Sequence, residues 1–497
     1  MSLIPLDIPA GIVRNGTDLE QSGRWRDGSL VRWRDNSLRP VKGWTQRKSG
    51  YSTNTVRGMH AWKSLDGSTY IAGGSYNELK AMVGGGTLYD ITPPDLAVGL
   101  ERATVITGYG YGDYGMQNYG VARQNFGNYS EATTWSLDNW GEYLVACSSK
   151  IAGYGDGRLL EWQLGASADA APIANAPINN LGLVVTEERF LFALGAGGNP
   201  RKVAFSDQEN NTVWTASATN QAGDQELATS GQIMQGVRTR GQTLIITDVD
   251  AFSARFLGPP FVYGFDRVGT ACGAASRKAA VDVDVGVFWM GQRGFFSFNG
   301  NTVQEIPCAV HDYVFGDFNR DQQSQVWAWS NTEYSEIWWF YCSSDSQDID
   351  RYVALDYQEN HWTIGQLGRT AGVSRGVFKH PLLIANNKVL YEHENGLNYD
   401  GSAVFAETGP ISLGNGDQTM QVMQLIPDEK SQGEVSLKFK TRFHPNELDV
   451  EHGPYTPVNP TGVRFAGRQF RMRVEGNASA DWRVGNMRVD AIPAGRR

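Results

Sequence analysis

The sequence predicts an all-β chain, a β-propeller of about seven blades with an additional β-domain built from the chain ends. Three observations predict it. Glycine accounts for 58 of 497 residues, about 12% against a usual ~7%. Tryptophan (15), tyrosine (20) and phenylalanine (21) are abundant, while amphipathic runs of good helix formers are missing, a balance that favours short strands and tight turns. The third observation is a recurring pair of short strands at a nearly constant interval.

Along the chain the pairs are 70–72 with 88–90, 143–146 with 159–162, 190–193 with 203–206, and 244–246 with 254–257. Then come 287–290 with 294–298, 337–341 with 352–356, and 382–384 with 389–392. Each runs through aromatic and β-branched residues, breaks at a turn residue such as Gly, Asn or Asp, and resumes, as a hairpin does. The first strands begin at 70, 143, 190, 244, 287, 337 and 382, at intervals of 73, 47, 54, 43, 50 and 45. The long first interval holds an insertion over 106–130; without those 25 residues it falls to 48. A β-repeat of ~40–50 residues is the period of a propeller blade. A blade cannot cover both its faces alone, so stacking around an axis supplies the core. A β-sandwich array of similar spacing is the alternative.

The insertion, ITGYGYGDYGMQNYGVARQNFGNYS, alternates tyrosine and glycine with almost no aliphatic residues. It cannot build a core. Tyrosine offers a large contact area with few rotatable bonds and a polar tip, so Tyr109, Tyr111, Tyr114 and Tyr119 are expected at a subunit contact. Residues 165–180, rich in Ala, Pro and Asn, read as a spacer. After residue 400 the pattern changes: 435–443 and 468–474 alternate apolar with polar residues, as half-buried strands do. The expected division is a basic docking segment over 1–50, the propeller over 51–400, and a C-terminal β-domain over 401–497 that packs with 1–50.

Net charge is −9, unevenly spread. Residues 24–48 hold eight Arg or Lys and two Asp, a net +6, and residues 464–497 hold eight Arg and three acids, a net +5. The remainder carries 28 basic and 48 acidic residues, a net −20. An acidic body with two basic ends suggests that the ends dock an acidic partner. The expected docking residues are Arg24, Trp25, Arg26, Arg32, Trp33, Arg34, Arg468, Arg471 and Arg473. The four cysteines (Cys147, Cys272, Cys308, Cys342) are far apart, without a CxxC pair, so neither a disulfide framework nor a zinc knuckle is indicated. No apolar run suits a signal peptide or reaches the ~18 residues of a membrane span, and the protein is expected to be made and used without export.

Motifs that carry chemistry do not hold together. Gly110-Tyr-Gly-Asp-Tyr-Gly115 matches GxGxxG but lacks the preceding strand and following helix of a dinucleotide site. Gly372-Val-Ser374-Arg-Gly376 matches the nucleophile elbow, yet strand-like residues follow where a helix is needed. Asp317-Phe-Asn319-Arg-Asp321 opens like a calcium loop, but Gln322 stands at the sixth position and Ala328 at the twelfth. Asp282 and Asp284 alternate with valines and read as the polar face of a strand. No catalytic residue, cofactor or metal ligand is expected, and the chain is read as not an enzyme.

The opening GIVRNGTDLEQSGRWRDGSLVRWRDNSLRPVKGW (11–44) resembles the start of bacteriophage tail hub or nozzle proteins, the packaged-DNA stabilisation family of short-tailed phages. The Tyr-Gly insert, Arg267-Val-Gly-Thr-Ala-Cys272-Gly, Gly294-Phe-Phe-Ser-Phe-Asn-Gly with Glu305-Ile-Pro, and the ending from Arg464 to Arg497 also resemble that group. The resemblance spans most of the chain but is diffuse. It implies a structural virion protein: a hexameric ring below the portal and adaptor that extends the DNA channel, retains packaged DNA and lets it exit on infection. The implied partners are further copies of the chain, the adaptor or head–tail connector, other tail proteins or fibres, and genomic DNA contacted without sequence specificity. No catalysis and no cofactor are implied, and the place is the phage tail, assembled in the host cytoplasm. An acidic body fits a conduit, because a basic wall would hold phosphates and slow their passage. The alternative reading is a phage carbohydrate-binding or glycan-degrading propeller that binds a receptor.

Overall fold

The computed structural model describes residues 2–84, 86–105, 129–165, 168–412, 418–427, 434–444, 447–476 and 480–495. Seven four-stranded antiparallel sheets follow one another as blades. Blade 1 is Met59–Lys63, Thr69–Gly74, Leu79–Val83 and Leu88–Asp90, and blade 2 is Trp135–Trp140, Tyr143–Ser148, Leu160–Trp162 and Ala171–Pro172. Blade 3 is Gly182–Val185, Leu191–Leu194, Lys202–Phe205 and Gly223–Glu226; blade 4 is Ile233–Thr239, Gln242–Thr247, Ala251–Gly258 and Val262–Gly269. Blade 5 is Ala280–Val283, Gly286–Met290, Phe295–Phe298 and Val303–Ile306; blade 6 is Trp327–Asn331, Glu336–Tyr341, Arg351–Asp356 and His361–Gln366. Blade 7 takes Arg369–Val373, Leu382–Ala385 and Leu390–His393 from the chain's later part, and its fourth strand, Trp44–Lys48, from the beginning. First strands of successive blades contact each other in a closed circuit, and blade 7 meets blade 1. The chain is a seven-bladed β-propeller.

The strand starts picked out by periodicity are the second strands of all seven blades. These strands are covered on both faces by neighbouring blades, so they read as continuous apolar runs. Gln242–Thr247, Glu336–Tyr341 and Leu382–Ala385 are buried throughout. Fourteen of the fifteen tryptophans are buried, most of them as inter-blade packing. The stretch read as a spacer, 165–180, contains the outermost strand of blade 2, Ala171–Pro172. A two-residue exposed edge strand tolerates proline and leaves little pattern.

The chain ends build the additional β-domain. One sheet joins Trp25–Ser29, Phe405–Thr408, Gln469–Gly476, Val435–Arg442 and Val450–Tyr455 in that order; Ile411–Ser412 also pairs with Gln469–Gly476. The other joins Ser2–Leu6, Met487–Gly495, Thr419–Ile426 and Thr461–Gly467. Phe439 and Phe470 of the first sheet meet Phe465 of the second, with ring centroids 4.8 and 5.7 Å away. Inward positions alternate with outward ones along Val435–Arg442 and Thr461–Gly467, matching the period of two. The initial segment does not lie wholly outside the propeller, because Trp44–Lys48 closes blade 7. Each blade needs four strands to cover its neighbours, and the last blade has only three of its own.

The hairpin Val31–Arg34 with Ser37–Pro40 inserts between end domain and propeller. Arg32, 3% exposed, donates from Nε to Glu336 at 2.8 Å and from Nη2 to Glu394 at 2.6 Å. Trp338 Nε1 donates to Glu336 and Asn331 Nδ2 to Glu394, and the guanidinium lies 3.7 Å from the Tyr334 ring centre. Burial opposes charge on Arg32, but the two carboxylates outweigh it and raise its pKa above the ordinary value.

Two predictions follow from this joint. Arg32→Ala strands two buried carboxylates and should cost about 3–5 kcal/mol, seen as a lowered urea midpoint, whereas Arg34→Ala, at a half-buried site, should shift it by no more than about 1 kcal/mol. A fragment of residues 43–400 should resist heat and protease better than 51–400, which lacks the closing strand; equal resistance would show that closure contributes nothing.

Candidate functional site on the propeller axis and at the joined ends

The first strands surround the axis and enclose a polar cavity of about 160 Å³, lined by Arg57, Thr134, Gln235, Lys278, Ser324 and Thr370 among others. The segments flanking the Tyr-Gly insert close one end. Ala103 N donates to Gln322 Oε1 and Gln322 Nε2 donates back to Ala103 O, both at 3.0 Å. Ala132 N donates to Ser324 Oγ, and Arg102 pairs with Asp348 at 2.6 Å. Towards the other end the cavity shares Gln235, Lys278 and Ala280 with a wider recess of about 380 Å³, which His60, Asp138, Arg238 and Asp282 line.

Charge is balanced in the recess but not in the cavity. Asp138 accepts from the backbone N–H of Val185 at 3.1 Å and lies 3.9 Å from Arg238. His60 Nε2 sits 3.1 Å from Asn139 Oδ1, and burial lowers the His60 pKa. Lys278 is half-buried and lines both the cavity and the recess. Burial lowers its pKa to about 8, and Asp138 offsets part of that. Arg57 donates from Nε to the carbonyl of Glu101 at 3.0 Å, while its buried Nη1 and Nη2 have no hydrogen-bond partner. Arg277, also buried, is compensated by Glu131 at 3.3 Å.

The expected docking residues lie elsewhere, and none is exposed. Trp25, Arg26, Arg32 and Trp33 are buried, which corrects their reading as docking residues. Trp25 and Trp33 pack together at 5.8 Å. Arg26 pairs with Asp18 at 2.9 Å, and Arg471, from the far end of the sequence, pairs with the same carboxylate at 2.6 Å. Burial works to raise the Asp18 pKa, but Arg471 and Arg26 outweigh it and hold it below the ordinary carboxylate range. Arg473 lies 3.6 Å from the Phe405 ring centre and bonds Glu407 and Glu475. Arg24, Arg34 and Arg468 are half-buried. Carboxylates within the fold pair with Arg26, Arg32, Arg34, Arg471 and Arg473, several of them from distant parts of the sequence. Arg464, Arg483 and Arg488 are exposed instead; for Arg464 the alternation in 461–467 was the available signal. Tyr109, Tyr111, Tyr114 and Tyr119 lie outside the described residues, and only the base of their insert, Thr104–Val105 paired with Tyr129–Ser130, is described.

The other motifs resolve into structural roles. Asn319 Oδ1 caps a short helix by accepting from the N–H of Asp321 and Gln322, and Asp317 takes Ser344 and Arg351, so those oxygens do not converge as a calcium loop. Ser374 bonds Ser330. Asp284 accepts from Tyr357 at 3.1 Å. Asp356, Glu359 and His361 bring donor atoms within 4.8 Å of one another, but Asp356 already accepts two backbone N–H groups. Burial raises the thiol pKa of Cys272 to about 11, and of Cys308 and Cys342 to about 12. Among the described residues no helix is long and apolar enough to cross a membrane.

No protein-family model and no curated protein matches the chain. Solved structures of similar architecture include virginiamycin B lyase from Staphylococcus aureus, at 7% identity and TM-score 0.42 over 70% of this chain and 98% of that one. A streptogramin B lyase matches at 9% and 0.40 over 68% and 93%. PorZ, a type-IX secretion component of Porphyromonas gingivalis, matches at 7% and 0.37 over 76% and 44%. The likeness is one of fold alone. Lyases among these neighbours correct the expectation that the chain is not an enzyme, which rested on the failed motifs and on the family resemblance, and the fold by itself assigns no activity.

Lys278 gives this site a pH signature. Between about pH 8 and 10.5 the unfolded chain binds more protons at this position than the folded one, so its burial penalty fades as pH rises. Lys278→Met should therefore stabilise the protein at pH 7 by about 1–3 kcal/mol and lose that advantage near pH 10.5. Denaturation of both proteins across that range checks it; a pH-independent difference would show that the ammonium is not penalised.

Proposed function

We propose that the chain is a structural virion protein, a tail hub or nozzle ring that extends the DNA channel of a short-tailed phage below its portal and adaptor. One observation carries the reading. Two of the segments that carry the resemblance to that group, 11–44 and 464–497, both contribute to one β-domain although they lie at opposite ends of the sequence. Trp25–Ser29 and Gln469–Gly476 both pair with Phe405–Thr408, and Asp18 ties Arg26 to Arg471. A ring subunit needs a rigid module for repeated contacts, and a propeller braced by its own chain ends suits that need. The proposed assembly is a hexamer that contacts the adaptor, other tail proteins and, without sequence specificity, the exiting genome. The alternative of a sugar-binding propeller loses its main support, because the tryptophans that could stack on sugars are packed in the core.

With the earlier docking arginines turned inward, Arg464, Arg483 and Arg488 are the exposed arginines among the described residues of the end domain, and partner contact would rest on them. Single exposed pairs are worth about 0–1 kcal/mol, so the effect should need several at once. Reversing all three to Glu should leave the β spectrum intact and abolish ring formation, as seen by electron microscopy of the purified chain at low salt. A wild-type chain that stays monomeric at high concentration, both alone and with phage adaptor, would overturn the ring proposal. Tight, salt-sensitive binding of duplex DNA through these arginines would replace docking with a DNA clamp.

A further inference from the structure

We infer that the axial cavity of the propeller binds a small oxyanion between Arg57 and Lys278. Both residues line the cavity, and the cavity-lining residues include no Asp or Glu. Arg57 is 4% exposed; its Nε is satisfied by the Glu101 carbonyl, but both terminal nitrogens are buried without a hydrogen-bond partner. A buried guanidinium normally finds a carboxylate or phosphate, because an unpaired buried charge is strongly unfavourable. The protein supplies such partners elsewhere: Glu131 for Arg277, and Glu336 with Glu394 for Arg32. Around Arg57 the carboxylates of Asp348 and Glu101 favour its charge only from a distance, and neither bonds its terminal nitrogens.

The remaining lining suits an oxyanion too. Thr134, Ser324 and Thr370 offer hydroxyl groups from three further directions around the axis, while the Gln235 amide is engaged by the Ala280 backbone, and two cations with neutral donors form the set that recognises phosphate or carboxylate oxygens. About 160 Å³ accommodates a group of that size with accompanying water. The strap of Ala103, Ala132, Gln322 and Ser324 closes one end, so entry would be from the recess lined by His60, Asp138 and Arg238. Asp138 and Asp282 at that mouth would disfavour large polyanions and leave the inner cavity to small ones. The inference does not depend on the proposed assembly role.

Isothermal titration of the full chain with inorganic phosphate at pH 7 tests it, with succinate as the carboxylate arm and sodium chloride at matched ionic strength as control. Saturable binding of one anion per chain is expected, together with a raised denaturation midpoint that chloride does not reproduce. Arg57→Met and Lys278→Met should each weaken binding about ten-fold or more. Without added anion both variants should be at least as stable as wild type, since each removes a charge that no carboxylate bonds directly; a purely structural arginine would instead destabilise on removal. Preference for phosphate or succinate would identify the class of oxyanion. No saturable binding of either up to ~50 mM, a range well beyond the ~1 mM affinity scale, or binding unchanged in both variants, would overturn the inference.

Discussion

The strand Trp44–Lys48 is the constraint on which the molecule depends. Six blades are contiguous in sequence and can cover one another, but the seventh holds only three strands until the chain's beginning returns to it. Four residues of that strand pair with Leu390–His393. Trp44 stacks on His393 with centroids 5.2 Å apart, donates from Nε1 to Asp400 at 2.7 Å, and lies under Arg369 at 4.6 Å. Burial pushes Arg369 down to about 10 and His393 well below its ordinary value, and Arg369 Nε donates to the neutral His393 ring at 2.8 Å. Closing the ring thus fixes where the first fifty residues must run.

From that fixed point the basic ends acquire their role. With residues 44–48 in blade 7, the hairpin before them is held against blades 6 and 7, and Arg32 is driven into the carboxylate pair Glu336–Glu394. Trp25–Ser29 then reaches the sheet that the last ninety residues build. The arginines that look like a docking surface in sequence become the stitches between distant parts of one chain. Such buried ion pairs gain little net stability over well-packed apolar residues, yet are costly to break by removing one partner. They therefore specify how the end domain sits on the propeller more than they add to its stability.

The axis follows a different rule from the blade interfaces. Between blades, rings pack on rings: Phe295 of blade 5 lies 4.8 Å from Trp339 and 4.7 Å from Trp362 of blade 6. At the centre seven strands converge too closely for large apolar side chains from all of them, and small or polar residues line the space that is left. The cations Arg57 and Lys278 face that space, and the charge balance achieved elsewhere is incomplete there.

The sequence by itself determined the fold class, the blade count and two strands of the end domain. Second strands are sandwiched between blades, so Trp338-Trp339-Phe340-Tyr341 and Leu382-Leu383-Ile384 stand out as apolar runs, and Val435–Arg442 declares its two faces by alternation. First strands lining a polar axis and most fourth strands open to solvent, such as Gly223–Glu226, carry no such pattern and were not legible, Leu88–Asp90 excepted. Nor were Trp44–Lys48 as a propeller strand, the inward turn of Arg26, Arg32 and Arg471, or the cavity holding Arg57 and Lys278. The reason is physical. Burial of apolar faces is written locally, in composition and period, whereas the partner of a charge is decided by which distant residue the fold brings within ~4 Å of it. Asp18 with Arg471, and Glu336 with Arg32, are separated by hundreds of residues, and only the closed ring with its joined ends places them together.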